Sequence, residues 1–380
     1  MQLKLSTSAF LDELQTAARV ASTRSAVQAL SGVQIHAGEA GAELRATDME
    51  VGLRLPLSAT IESAGEVVLP ARLLLDVVRS LPGPEVSVML RPAEQDVEII
   101  SAGATFHLRT LRNEDFPHLP AAGGDASITL DAAAFIDTVI RVSRSASRDD
   151  TRPVLTGILV WAADQELRMV ATDSYRLSVK TTRLSEPLAA PIEANVPARA
   201  LAEVVRIAQQ GGEEKIVVNR SENQIVFSLG DAVLSSRLID GQFPNYQLLL
   251  PESATHELRV DREELAAVVR RVSLLAQKNA PLRLAFSDGE LLISAQTPDV
   301  GEAREALPIP FSGEAFEIGF NAEFLRSVWA AGIPALLGAV AASYLVSSRF
   351  AQYAWTGWLL FMPIGGLVIL GYSLNQYFLK

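Results

Sequence analysis

Three stretches of this chain change their hydrophobic period in the same way. In LKLSTSAFLDELQTAARVAS from Leu3, ITLDAAAFIDTVIRVSRSAS from Ile128 and HELRVDREELAAVVRRVSLLAQ from His256, a short apolar/polar alternation meets a polar residue and then gives way to amphipathic helical spacing. Alternation with period two predicts a half-buried strand, and the longer period predicts a helix that buries one face. In the third copy Asp261 and Glu264 have the spacing of a capping box, and Leu265, Val268, Val269 and Val272 fall on one helical stripe. The copies recur at intervals of about 125–130 residues, one small domain each.

The interior of each copy repeats as well. ELRATDMEVGLRL from Glu43 matches ELRMVATDSYRLSV from Glu166, with a looser LLISAQTPDVGEAREAL from Leu291. These predict strand, turn and strand, with Thr-Asp in the turn. GEVVLPARLLLDVVRSLP from Gly65 matches IEANVPARALAEVVRIAQ from Ile192 and, without the proline, FEIGFNAEFLRSV from Phe316. Here a strand runs into a second helix, and Pro70 and Pro197 sit near the helix start, where a missing N–H costs least. The first two copies close with SAGATFHLRTLRNEDFPHLP and SLGDAVLSSRLIDGQFPNYQLLLP, alternating strands followed by an acidic turn and Phe-Pro. The third has no counterpart: after Val328 comes an apolar tail of 52 residues whose only charges are Arg349 and Lys380.

Composition narrows the chemistry. Up to residue 328 there are 31 basic against 44 acidic residues, so bulk charge does not draw this chain to nucleic acid, and only a local basic face would. A length of 380 residues suits two or three domains, each with its own core. The absence of cysteine excludes a disulfide scaffold and thiolate metal sites and suits the cytosol. The start, MQLKLSTSAFLDELQ, lacks the basic cap and apolar run of a signal peptide, so a cytoplasmic body is expected. Asp48 and Asp173 look like paired acids, yet each sits in the same Thr-Asp turn of a separate copy, where a side-chain-to-backbone bond is the expected role. His36, His107, His118 and His256 are widely separated and lack metal-ligand spacing, and no phosphate-cradling G-x-x-x-x-G-K-[ST] occurs. No constellation for acid/base or nucleophilic work is present, and neither a metal nor a cofactor is expected.

Taken together, the three-fold repeat, the paired ATD turns, VPAR at the second helix, and the LIDGQFPNY and EIGFNAEFL segments resemble the bacterial DNA polymerase III β subunit family, the DNA sliding clamps, over roughly residues 1–328. The resemblance implies an α+β, three-repeat DNA clamp fold, each repeat packing two helices on antiparallel sheets. The third repeat is then incomplete and followed by an apolar α-helical hairpin. Domains are expected at 1–122, 123–252 and 253–328, with the tail at 329–380. The resemblance also implies a head-to-tail homodimer that encircles duplex DNA, lines the hole with helices, and tethers the replicative polymerase without catalysis of its own.

A ring that slides needs weak contacts to phosphate and none to base edges. Arg19 and Arg144 take equivalent places in the first helices, Arg24, Arg148 and Arg152 lie just beyond, and Arg72 and Arg199 begin the second helices. These are the candidate DNA contacts; each alone equally suits a solvated helix face balancing nearby acids. By the resemblance, Leu155, Thr172, Tyr175, Arg176, Leu177, Pro244 and Leu249 match an apolar cleft that takes short linear peptides from the polymerase, the clamp loader and repair proteins. Leu155 and Leu177 suit ordinary strand core as well. Phe106 and Leu108 match dimer-interface positions facing a helix that holds Leu274 and Leu275. With the third repeat short of its final strands, weak or absent dimerisation is expected.

The tail contains uncharged runs of 17 residues at 330–346 and 20 residues at 355–374, which predict two transmembrane helices. A hairpin buried in a soluble domain is the other reading. Two function classes follow: a sliding clamp whose C-terminus has been exchanged, or a clamp-like body held at a membrane as an interaction module.

Overall fold

The computed structural model describes residues 1–22, 25–120, 126–188, 190–250, 258, 260–276, 281–330 and 368–372. The first copy runs β1 (Gln2–Ser6), α1 (Thr7–Val20), β2 (Gly32–Gly38), β3 (Gly41–Thr47), β4 (Val51–Leu57), β5 (Ala59–Ser63), β6 (Gly65–Pro70), α2 (Ala71–Ser80), β7 (Glu85–Arg91), β8 (Asp96–Ser101) and β9 (Ala104–Arg109). The second runs β10 (Ala126–Asp131), α3 (Ala132–Ser143), the single turn α4 (Pro153–Thr156), β11 (Gly157–Ala163), β12 (Glu166–Thr172), β13 (Arg176–Arg183), β14 (Ile192–Pro197), α5 (Ala198–Gly211), β15 (Lys215–Arg220), β16 (Gln224–Leu229) and β17 (Ala232–Arg237). The order is the same apart from β5, which has no counterpart among the described residues of the second copy, and α4, which stands where the first has a 3-10 turn at Gln28–Ser31. The third contributes α6 (Arg262–Val272), β18 (Leu282–Ser287), β19 (Glu290–Thr297), β20 (Gly301–Pro308), β21 (Phe316–Phe320) and α7 (Ala322–Ala330), followed by β22 (Val368–Tyr372).

The strands form sheets in the orders β5-β1-β7-β8-β9, β10-β15-β16-β17-β4-β3-β2-β6, β14-β11-β12-β13-β22 and β20-β19-β18-β21. The described residues gather into two compact units. One holds Met1–Ala133, Leu188–Ile192 and Arg199–Leu238; the other holds Ala134–Pro187, Glu193–Ala198 and Ile239–Lys380. Their borders cross the middle copy, because the second sheet joins the last strands of that copy to β4 of the first.

Inside the first unit α1 packs on β3 and β4, with Phe10, Leu14 and Ala17 fully buried, and α2 lies against α1 through buried Leu74 and Val78. Inside the second, the α6 stripe of Leu265, Val268, Val269 and Val272 is buried against Phe286, Leu291 and Ile293, as its spacing predicts. The Asp261 carboxylate accepts a hydrogen bond from the Glu264 amide at 2.9 Å, which satisfies one of the orphan donors at the start of α6. One boundary shifts: α3 ends at Ser143, so Arg144 stands just past the helix rather than in it. The strand expected at the start of the third copy lies mostly outside the described residues.

The paired Thr-Asp turns are built alike. Asp48 accepts from the amides of Glu50 and Val51 at 3.1 and 2.9 Å, and Asp173 accepts from those of Tyr175 and Arg176, both at 3.0 Å. Thr47 and Thr172 donate to the carbonyls of Val51 and Arg176 at 2.8 Å. The carboxylates are thus occupied in holding backbone. Each turn drives its third residue into the left-handed region, Met49 at φ 78° and Ser174 at φ 75°. A side chain there costs roughly 1–2 kcal/mol, partly offset by the greater chain entropy that glycine loses on folding. Met49→Gly and Ser174→Gly are each expected to stabilise the fold by about 0.5–1 kcal/mol in chemical denaturation. Destabilisation by either would show that the turn is not strained.

In the tail the structure departs from the expected hairpin. Trp329 and Ala330 continue α7, and Val368–Tyr372 is extended, pairing in parallel with β13 from Arg176↔Val368. A helix through 355–374 is therefore broken at that point: β-branched Val368 and Ile369 favour extended backbone, and the open edge of β13 offers hydrogen-bonding groups. The remainder of the expected hairpin, at 331–367 and 373–380, lies outside the described residues. Among the described residues no helix is long and apolar enough to cross a membrane.

Candidate nucleic-acid and peptide-binding surfaces

The candidate arginines divide into two groups by what their guanidinium groups touch. Arg19 bonds Glu203 through Nε at 3.0 Å and Thr16 Oγ1 through Nη2 at 3.1 Å. Arg199 pairs with Asp48 and lies 3.7 Å from Glu50. Arg152 pairs with Asp149 at 3.2 Å and donates to Ser174 Oγ at 3.0 Å. The Thr151 hydroxyl and amide, with Arg152 beside them, hold the Asp149 carboxyl below the usual carboxylate range, so it stays charged and keeps Arg152 occupied. Arg72, Arg144 and Arg148 are exposed and have no ion pair among the described residues. Arg24 lies outside the described residues.

The cleft residues also divide. Leu177 is fully buried in a small core with Val170, Val179 and Tyr246, and Leu249 packs at its margin. Leu155 and Thr172 are buried, at 8% and 5% exposure, and the Thr172 hydroxyl is committed to its turn. Pro244 is exposed. Tyr175 keeps 40% of its surface in contact with solvent and stacks on Phe324 with ring centroids 5.9 Å apart. The Arg176 guanidinium, anchored on Asp173 at 3.0 Å, lies 5.0 Å from the centre of the same Phe324 ring. Phe324 enters from the first turn of α7, where Asn321 Oδ1 accepts from the Glu323 amide at 2.8 Å.

The EIGFNAEFL pattern gives Phe324 no role, and the LIDGQFPNY segment does not by itself single out Phe243 or Tyr246. Phe243, in the Phe-Pro that closes the second copy, packs beside Tyr246 and Leu177. The pairing of Phe324 with Tyr175 joins residues of different copies, and no periodicity announces it.

The interface candidates lie on open strands and turns. Phe106 is half-buried and Leu108 is 4% exposed on β9, the last strand of its sheet. Leu274 is 81% exposed and Leu275 half-buried, in the turn after α6, where the Leu275 carbonyl accepts from Thr297 Oγ1 at 2.6 Å. Among the described residues no group of three or more His, Cys, Asp or Glu side chains could hold a metal ion.

A chain of repeated two-helix units, joined edge to edge through antiparallel strands, has the architecture of a DNA clamp. Models of the N-terminal, central and C-terminal domains of the DNA polymerase III beta subunit match residues 1–120, 129–245 and 247–331. The Beta sliding clamp of Micrococcus luteus is 36% identical over 299 residues, 78% of this chain and 95% of that protein. That of Synechococcus elongatus is 33% identical over 294 residues, 76% of this chain and 78% of its own. Among solved structures, the Bartonella birtlesii sliding clamp bound to griselimycin superposes with a TM-score of 0.79 at 30% identity, covering 87% of this chain and 90% of that one. The Bacillus subtilis clamp gives 0.81 at 25% identity with the same coverage. The chain belongs to the DNA polymerase III β subunit family, the bacterial sliding clamps. It is a DNA sliding clamp, a non-catalytic processivity subunit.

An aromatic stack contributes about 0.5–1.5 kcal/mol beyond its buried area, and an exposed cation–π contact about 0.5–1. Phe324→Ala is expected to lower stability to denaturant by about 1–2 kcal/mol, whereas Phe324→Tyr is expected to cost less than about 0.5. An alanine variant as stable as the parent would mean that the ring does not seat on Tyr175 and Arg176.

Proposed function

We propose that two copies of this chain close head to tail around duplex DNA. Each presents the surface around Tyr175, Pro244 and Leu249 to short apolar peptides of a replicative polymerase, a clamp loader and repair proteins. One observation carries the reading. The last strand of the second copy, β17, pairs antiparallel with β4 of the first, from Val233↔Arg54 to Ser236↔Val51. The counterpart of β17 in the first copy is β9, and the counterpart of β4 in the third is β20. Both are outermost in their sheets. Unpaired edge strands are templates for further pairing, and a heterologous contact of this kind forms a closed ring when its rotation completes a turn.

The same pairing rule supports association rather than the weak dimerisation expected from the sequence. The strands not found in the third copy among the described residues correspond to β15, β16 and β17, and by the same rule the last of them would face β13, not β9. The edge that would receive β9 is β20, which is formed along its whole length, with exposed Leu274 in the adjoining turn. Phe106 projects from β9 as the apolar group to be covered, while buried Leu108 seats the strand in its own sheet.

For DNA, the exposed Arg72, Arg144 and Arg148, which have no ion pair among the described residues, supply phosphate contacts without base readout. A membrane-anchored module would rest on residues outside the described ones, and no described element favours it.

Sedimentation velocity of the purified chain at micromolar concentration is expected to give a dimer, and Phe106→Asp a monomer. A parent that stays monomeric would remove the ring. Arg72→Gln, Arg144→Gln and Arg148→Gln are each expected to flatten the slope of log affinity against log salt for duplex DNA by up to about 0.9. Unchanged slopes in all three would remove the DNA contacts.

A further inference from the structure

The carboxylate of Glu203 on α5 is only 10% exposed and sits between two arginines. Its Oε2 accepts from Arg19 Nε of α1 at 3.0 Å, and its Oε1 accepts from Arg206 Nη1, one helical turn along α5. Arg19 commits a second donor to Thr16 Oγ1, which in turn lies 3.3 Å from Gln210 Oε1. A polar seam therefore joins α1 to α5 inside the first unit. An unpaired carboxylate buried this deeply would be costly, so the two cations are its necessary partners. The converse holds with less force. Arg19 and Arg206 keep 32% and 52% of their side chains exposed and would be well solvated without Glu203.

We propose that Glu203 attenuates DNA contact, holding Arg19 and Arg206 in ion pairs so that they give up little counterion-releasing charge to a duplex phosphate backbone. The inference rests on the ring reading, in which α1 and α5 face DNA, and it assigns the acid a role that the reading does not contain. Each phosphate neutralised by a free guanidinium steepens the salt dependence and tightens binding. A clamp must hold duplex while passing along it, so contacts beyond those needed for retention would retard movement. An acid positioned by burial sets that limit without removing the arginines that close the α1–α5 seam.

The test is duplex-DNA affinity of the full chain, read by fluorescence anisotropy over a salt series. Glu203→Gln keeps an acceptor for the seam and removes the charge. It is expected to tighten binding about threefold or more at low salt and to steepen the slope by about 1–2. Adding Arg19→Gln to that variant is expected to cancel part of the gain. In the parent, Arg19→Gln should move the slope much less than Arg72→Gln does, a comparison that holds even if Glu203→Gln folds poorly. A purely structural Glu203 would lower stability without raising affinity. Unchanged or weaker binding by a folded Glu203→Gln, or an Arg19→Gln effect in the parent as large as that of Arg72→Gln, would overturn the attenuator. If Arg72→Gln, Arg144→Gln and Arg148→Gln still weaken binding in that case, the ring reading stands. Flat responses throughout would remove both.

Discussion

Pairing of β17 with β4 is the constraint from which the rest of the first unit follows. At its centre Ser235 lies opposite Gly52. A Cβ at Gly52 would approach Ser235 Oγ to 2.7 Å and a Leu119 methyl to 3.0 Å, so a side chain here would force those neighbours to shift. The hydrogen bonds of this pairing close two edges at once. β4 would otherwise end the sheet β4-β3-β2-β6, and β17 would end β10-β15-β16-β17; joined, they form one continuous eight-stranded sheet. Covering an edge in this way removes a template for aggregation while fixing the spacing of the copies along the chain.

The acidic excess acts locally rather than as bulk charge. Glu43 is partly buried between Arg45 and Arg54 on neighbouring strands. Burial pushes its carboxyl upward, but hydrogen bonds and charge from Arg54 and Arg45 more than offset this and hold it below the usual range. Arg91 similarly holds Asp96 low, through a hydrogen bond first and charge second. Pairs of this kind, still partly open to solvent on the arginine side, add little stability, typically between zero and about 1 kcal/mol each. What they decide is which cations stay engaged with the protein and which face solvent. In a chain with more acid than base, the exposed arginines without a partner therefore carry more information about function than the total charge does.

Sequence pattern revealed what is local and repeated. The α6 stripe, the Asp261 cap and the Thr-Asp turns each need only a few consecutive residues, and their chemistry is stated by residue type. Even the structural role of Asp48 and Asp173 follows from their place in a turn, because an Asx side chain reaches amides two and three residues ahead. The candidate surfaces were only half legible. That Arg19 is engaged depends on Glu203, 184 residues away from it in sequence, and nothing in a helical pattern couples them. Phe324 was hidden for the same reason: a lone aromatic on an amphipathic helix looks like core until the partner strand is in place. The tail shows the limit of hydropathy, since an uncharged apolar run suits a membrane helix and a sheet strand alike, and at Val368–Tyr372 an available edge selects the strand.

Repetition in the sequence and cohesion in the fold have different units, and the difference has a structural cause. Each of the first two copies divides its strands between two sheets. In the first, β1, β5, β7, β8 and β9 form one sheet while β2, β3, β4 and β6 lie in another; in the second, β10 and β15–β17 separate in the same way from β11–β14. The joint is made between the trailing half of one copy and the leading half of the copy before it. The first compact unit therefore gathers the whole first copy with the trailing half of the second, which is why Arg199–Leu238 belongs with the first copy. An array assembled by this rule has an unmatched trailing edge at its first copy and an unmatched leading edge at its last. Here those edges are β9 and β20. In the ring proposed above these two edges meet, so the rule that joins the first two copies would also govern how one chain pairs with the next.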